Sequence, residues 1–121
     1  MASYKLVVFS DAVEGREEEY NDWYTNTHLD DVVAVPGFVS AQRYKLRTIV
    51  MGEFKHRYMA IYNIESDDPD KVIEEMMCRR GTEAMILSDG IDLETATCAL
   101  YETITREVFA LDAKAKADTA A

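Results

Sequence analysis

Histidine and cysteine are scarce in this chain, with two of each among 121 residues, and no two of them lie close together. No pair has the spacing that brings two ligands to one zinc ion, so no metal site is expected. Cys78 and Cys98 form no CxxC motif and are expected as two buried thiols in a reducing compartment. The five glycines are scattered, which excludes a glycine-rich phosphate loop. No apolar run approaches the roughly 18 residues of a membrane span. The opening MASYKLVVF lacks the apolar run and cleavage site of a leader, so the cytoplasm is the expected compartment. Basic residues are outnumbered, 13 against 23 acidic ones, and the net charge is −10. A field of that sign repels phosphate backbones and anionic headgroups, so neither nucleic acid nor membrane is an expected partner.

Hydrophobic residues make up 48% of the chain and charged residues 30%, a globular rather than a disordered balance. The length suits one domain, placed at 1–110, with a low-complexity, frayed tail over 111–121.

Tyr4–Phe9 reads as a strand rich in β-branched and aromatic side chains. After Ser10 and Asp11 the period changes. Tyr20, Trp23, Tyr24, Thr27 and His28 fall on one helical face, with Glu17, Glu18 and Glu19 in the first turns, where the helix dipole favours negative charge. Pro36-Gly37 ends that helix. Phe38–Thr48 and Lys55–Glu65 predict two strands of a hairpin around Gly52. Asp68 is placed to cap a second helix, with Pro69 at its first position and Val72, Ile73, Met76 and Met77 as its apolar stripe. Gly81 breaks it, and Thr82–Leu87 is expected as a further short helical piece. Leu93–Val108 predicts the last strand. The order β-α-β-β-α-β is the split βαβ pattern: an α+β, ferredoxin-like fold with one antiparallel sheet and both helices on one face. The other face must also be covered, and so short a chain has no third layer to offer. A homodimer joined sheet to sheet is therefore expected.

The stretch Trp23 to Leu46, about a fifth of the chain, resembles the dimeric α/β-barrel superfamily, most closely its EthD-like branch. The shared features are a histidine near the end of the first helix (His28), a Pro-Gly step (Pro36-Gly37) and a strand with an aromatic-basic pattern (Arg43, Tyr44). The resemblance implies a pocket in each subunit between sheet and helices, and cofactor-free chemistry as the common mode. Methylmuconolactone isomerase, polyketide cyclases and haem-degrading monooxygenases belong to the superfamily, so it does not single out a substrate. One position departs from the pattern. EthD-like proteins often carry proline two residues after the histidine, where this chain has Asp30, followed by Asp31.

His28 is the leading catalytic candidate. Asp31 lies one turn later, where the two side chains can meet. A carboxylate there would orient the ring and raise its basicity, giving a general base near neutral pH. The plainer alternative is a helix-end histidine that bonds backbone at the Pro-Gly turn. His56, near the start of the third strand between Lys55 and Arg57, is either a sheet-edge histidine near solvent or a second polar group at a pocket mouth. Trp23, Tyr24, Tyr44 and Tyr62 are candidate substrate-binding walls suited to a flat, oxygenated ligand, with the ordinary core as their other place.

These residues predict a cofactor-independent enzyme that moves a proton on a cyclic or aromatic carbonyl compound, of isomerase, lyase, dehydratase or cyclase type. His28 would be the general acid/base, Asp31 or Asp30 its orienter, and Tyr62 or Tyr44 the donor to a developing oxyanion. Two other readings stay open: a non-catalytic dimeric ligand-binding or accessory protein, and a cofactor-free or haem-related monooxygenase, since one histidine suffices as an axial ligand.

Overall fold

The computed structural model describes residues 1–111; the expected tail lies outside the described residues from 112 on. Strand β1 (Ala2–Ser10) alternates in character. Tyr4, Leu6, Val8 and Ser10 point to one face and Lys5, Val7 and Phe9 to the other, and Leu6 and Ser10 are buried. Strand β3 (Tyr58–Ser66) does the same more strongly: Tyr58, Ala60, Tyr62 and Ile64 are all buried. These two strands pair antiparallel along their whole length, from Ala2 opposite Ser66 to Ser10 opposite Tyr58. Strand β2 (Phe38–Lys45) joins the far side of β3 and β4 (Thr97–Glu102) the far side of β1. The antiparallel sheet therefore runs β2-β3-β1-β4, the ferredoxin-like order.

The first helical stretch is continuous but not uniform: α1 (Glu17–Trp23), a π-helical turn (Tyr24–His28) and α2 (Leu29–Val33). Helix α3 (Pro69–Arg79) starts as its sequence dictates, with the Asp68 side chain accepting from the Lys71 N–H and Pro69 where no amide partner is needed. Tyr20, Tyr24 and Val32 from the first stretch and Val72 and Met76 from α3 share one core with Leu6, Tyr62 and Ile64, so both helical layers cover the same sheet face. Gly37 is essential to that packing. Its φ is +103°, and a Cβ there would lie 2.5 Å from Val72 Cγ2.

Several expected boundaries move. Strand β2 ends at Lys45 rather than Thr48, and β3 begins at Tyr58 rather than Lys55. The final strand is Thr97–Glu102 rather than Leu93–Val108, because its ladder on β1 runs only from Phe9 to Tyr4. β-propensity marks residues that suit a sheet, but a strand exists only where a neighbour supplies hydrogen bonds. Thr82–Leu87 is not helical. The Thr82 hydroxyl donates to the Arg79 carbonyl (2.6 Å), Met85 N–H to Thr82 O (3.1 Å) and Gly81 N–H to Met85 O (2.9 Å), a set of turns that competes with helical pairing. Cys78 and Cys98 are both free, as expected, but exposed rather than buried. Cys78 lies off the apolar stripe of α3 and Cys98 on the edge strand β4. No helix among the described residues is long and apolar enough to cross a membrane.

Candidate functional site

Arg43 of β2 fixes the first helical stretch to the sheet. Its guanidinium donates to Asn21 Oδ1 (3.0 Å) and Thr25 Oγ1 (2.9 Å) and lies 4.5 Å from the centre of the Tyr24 ring. On the same stretch the Tyr20 hydroxyl shares a buried hydrogen bond of 2.6 Å with Ser10. With α1 held in this way, the π turn that follows decides where His28 goes. Trp23 and His28 are five residues apart, which sets them at opposite edges of the stripe that an α-helix would present. The wider π turn brings them together, and π turns recur at functional sites. The two rings stack with centroids 4.5 Å apart, and Tyr24 meets His28 edge-on at 5.0 Å.

These three rings line one wall of a cavity of about 390 Å³ between the helices and the β1–β4 side of the sheet. Leu6, Val8, Tyr62 and Cys98 form its floor, and Met76, Met77, Met85, Leu87 and Leu93 supply further apolar wall. The Trp23 indole N–H donates to Ile86 O (2.9 Å), which ties the 85–93 segment over the cavity. Arg80, just past the end of α3, is the one basic side chain besides His28 in the lining.

His28 is poorly solvated. Its Nδ1 is buried with no hydrogen-bond partner among the described residues. Burial, and secondarily the charge of Arg80, push its pKa down to about 4, so the imidazole is neutral at pH 7. Burial also raises Tyr24 to about 12 and raises Tyr62 further, so both phenols keep their protons. Tyr62 donates to the Tyr24 hydroxyl at 3.0 Å. The Tyr24 proton has no acceptor among the described residues. The Cys98 thiol is raised by the packing around its sulfur, against an opposing pull from Arg80.

Of the residues singled out from sequence, Trp23, Tyr24, His28 and Tyr62 meet at this cavity. Asp31 and Asp30 are not part of it, and neither bonds His28. Helical side chains lean toward the N-terminus, so the ring lies back over Trp23 and Tyr24, away from the turn that carries the aspartates. Tyr44 sits on the helix-free sheet face, 41% exposed, with its hydroxyl donating to Gln42. His56 precedes β3 instead of lying on it. Its Nε2 bonds the Thr95 carbonyl (2.6 Å), and it lines a separate open cleft of about 530 Å³. Several polar groups of that cleft are bonded to one another. Glu17 accepts from Arg57 (2.8 Å) and Tyr58 (2.5 Å), and Asp11 accepts the Arg57 N–H (2.7 Å). Glu17 is accordingly held below its usual range, first by Tyr58 and then by Arg57. The His28 cavity is the better candidate because its polar groups remain available. Sequence reasoning missed Arg80 and Cys98. A basic residue directly after an amphipathic helix was the available signal for Arg80.

No family model matches the chain, and no curated protein matches it. Among solved structures it is similar to a proposed monooxygenase from Shewanella loihica (19% identity, TM-score 0.55, 86% of this chain and 96% of that one). It is also similar to an EthD family protein from Bacillus halodurans (17%, 0.51, 84% and 99%). A third neighbour is a variant of MhuD with two manganese protoporphyrin IX molecules bound per active site (15%, 0.56, 88% and 99%). The likeness is one of fold: the chain shares the ferredoxin-like α+β architecture of these structures.

Proposed function

We propose that this chain is a monooxygenase-type enzyme that takes a flat, mostly apolar compound with an acidic hydroxyl or C–H into the His28 cavity. The observation that carries the reading is a buried imidazole whose Nδ1 has no hydrogen-bond partner among the described residues, in the wall of an apolar cavity. Such a ring is a proton acceptor, and its low basicity suits a substrate whose anion is delocalised over an arene or an enolised ketone. Tyr24, already accepting from Tyr62, has its own O–H to give to the substrate oxygen. An electron-rich anion of this kind can reduce dioxygen. At a doubly activated CH₂ one oxygen atom becomes the carbonyl, and the other leaves as water with the two hydrogens. The name borne by one structural neighbour favours this reading over an isomerase or lyase, which would use the same proton step without dioxygen.

A porphyrin fits the cavity less well. An axial histidine is held by an acceptor on its other ring nitrogen, and Nδ1 of His28 has none among the described residues. The lining also offers one arginine for two propionates. The proposal includes a homodimer, since Val7, Phe9, Met59 and Ile61 share the sheet face that no helix among the described residues covers.

Oxygen uptake and product mass with a panel of hydroxyarenes and anthrone-like ketones test the reading. Turnover should incorporate one atom of labelled dioxygen and be lost in His28→Phe. Conversion without oxygen uptake would instead establish the isomerase reading, and binding without conversion the accessory one.

A further inference from the structure

The structure points to a substrate that carries one anionic oxygen group, a carboxylate or its equivalent, held by Arg80 at the mouth of the His28 cavity. We infer this from the state of Arg80. It rests on the reading of that cavity as the ligand site, and it names the chemical class that the site selects.

The chain has 23 acidic residues against 13 basic ones. Three of the chain's seven arginines hold a carboxylate among the described residues. Arg16 pairs with Glu19, Arg57 with Glu17, and Arg79, the immediate neighbour of Arg80, with Glu75 at 3.0 Å. Arg80 makes no ion pair among the described residues, yet it lines a cavity whose other walls are mainly methionine, leucine and aromatic side chains. With His28 neutral, Arg80 is the one formal charge in that lining. Two groups on different walls, His28 and Cys98, both feel its field, so the charge acts into the cavity and not only outward to solvent.

The backbone that carries Arg80 is held in place. Arg80 bridges to Met85, and the Gly81 N–H donates to Met85 O at 2.9 Å. The preceding carbonyl, that of Arg79, takes both the N–H and the hydroxyl of Thr82. An arginine with its carrier fixed loses less freedom on binding, and its planar fork matches two oxygens of a carboxylate. Arg80 is exposed, so the anion sits at the mouth and the apolar body of the ligand lies inward, against Met85 and Trp23.

The test compares a biphenyl carboxylate with its methyl ester by titration calorimetry. Fluorescence of Trp23, the chain's one tryptophan, reports whether each probe reaches the cavity. The carboxylate should bind more tightly than the ester. Arg80→Gln should weaken the carboxylate about tenfold and leave the ester unchanged, while Arg80→Lys should keep part of the preference. Thermal unfolding checks that each variant is folded. A carboxylate that fails to bind, or whose affinity survives Arg80→Gln, overturns the inference. Carboxylate binding that depends on Arg80, with no oxygen uptake on any hydroxyarene or ketone of the panel, would sink the oxygenase proposal and leave this one standing.

Discussion

Lowering the pH from neutrality to about 4 charges His28 in the unfolded chain well before it charges it in the folded one. The free imidazole titrates near its ordinary 6.5, whereas burial, helped by Arg80, holds the folded value at about 4. Between these values the unfolded state binds the extra proton, so stability falls as the pH falls. The loss begins below about 6.5, grows by about 1.4 kcal/mol per pH unit and is complete near 4, for a total of about 3 kcal/mol. Against a total stability of about 5–15 kcal/mol for a domain of this kind, that is readily measured. The assay is urea unfolding at a series of pH values for the wild type and for His28→Gln, which keeps a polar side chain of similar reach and cannot titrate. The difference between the two should widen steadily in favour of His28→Gln as the pH drops through this window. Only two histidines are present, so NMR titration of their ring protons, assigned with the variant, gives an independent value for His28. Parallel pH profiles for the two proteins, or a His28 ring titrating near 6.5, would refute the account of a desolvated, unpartnered imidazole.

Gly37→Ala should destabilise the fold by about 2–4 kcal/mol, because it adds left-handed backbone strain to a clash with Val72. Adding Val72→Ala should relieve the clash but not the strain, and a double-mutant cycle in urea separates the two; complete rescue would show that backbone strain is negligible. Tyr20→Phe leaves the buried Ser10 hydroxyl without its 2.6 Å partner and should cost about 1–2 kcal/mol by urea unfolding, whereas no change would mean that water replaces the bond. Sedimentation should give twice the chain mass at micromolar concentration, and Ile61→Asp, which puts a charge in the middle of the helix-free face, should shift the protein to monomer. A wild-type monomer would remove the argument that this face is covered.

Much of the architecture was legible one residue at a time, because it follows from local rules. Alternation in Tyr4–Phe9, the helical stripe from Tyr20 to His28, the Asp68-Pro69 start and the Pro36-Gly37 stop each depend on neighbours within a few positions. The order of elements then left the split βαβ sheet as the natural arrangement, and the neighbours share that fold. The gathering of Trp23, Tyr24, His28 and Tyr62 could be anticipated for the same reason, since a helical stripe and a strand face must meet in the core. What sequence could not decide was anything set by contacts distant along the chain or by departures from ideal period. The π turn stacks the His28 ring on Trp23, a ring-on-ring contact that their shared stripe does not specify, and the backward lean of helical side chains separates His28 from Asp31. Strand lengths were decided by where a ladder with the neighbouring strand forms, which is why Leu93 and Val108 fall outside β4. His56 and Tyr44 left the candidate site because the sheet stops short of one and turns the other to its helix-free face. Arg80 entered it because a glycine-centred turn some fifty residues later in the chain folds back beside His28, and only the tertiary structure could place the two at one cavity.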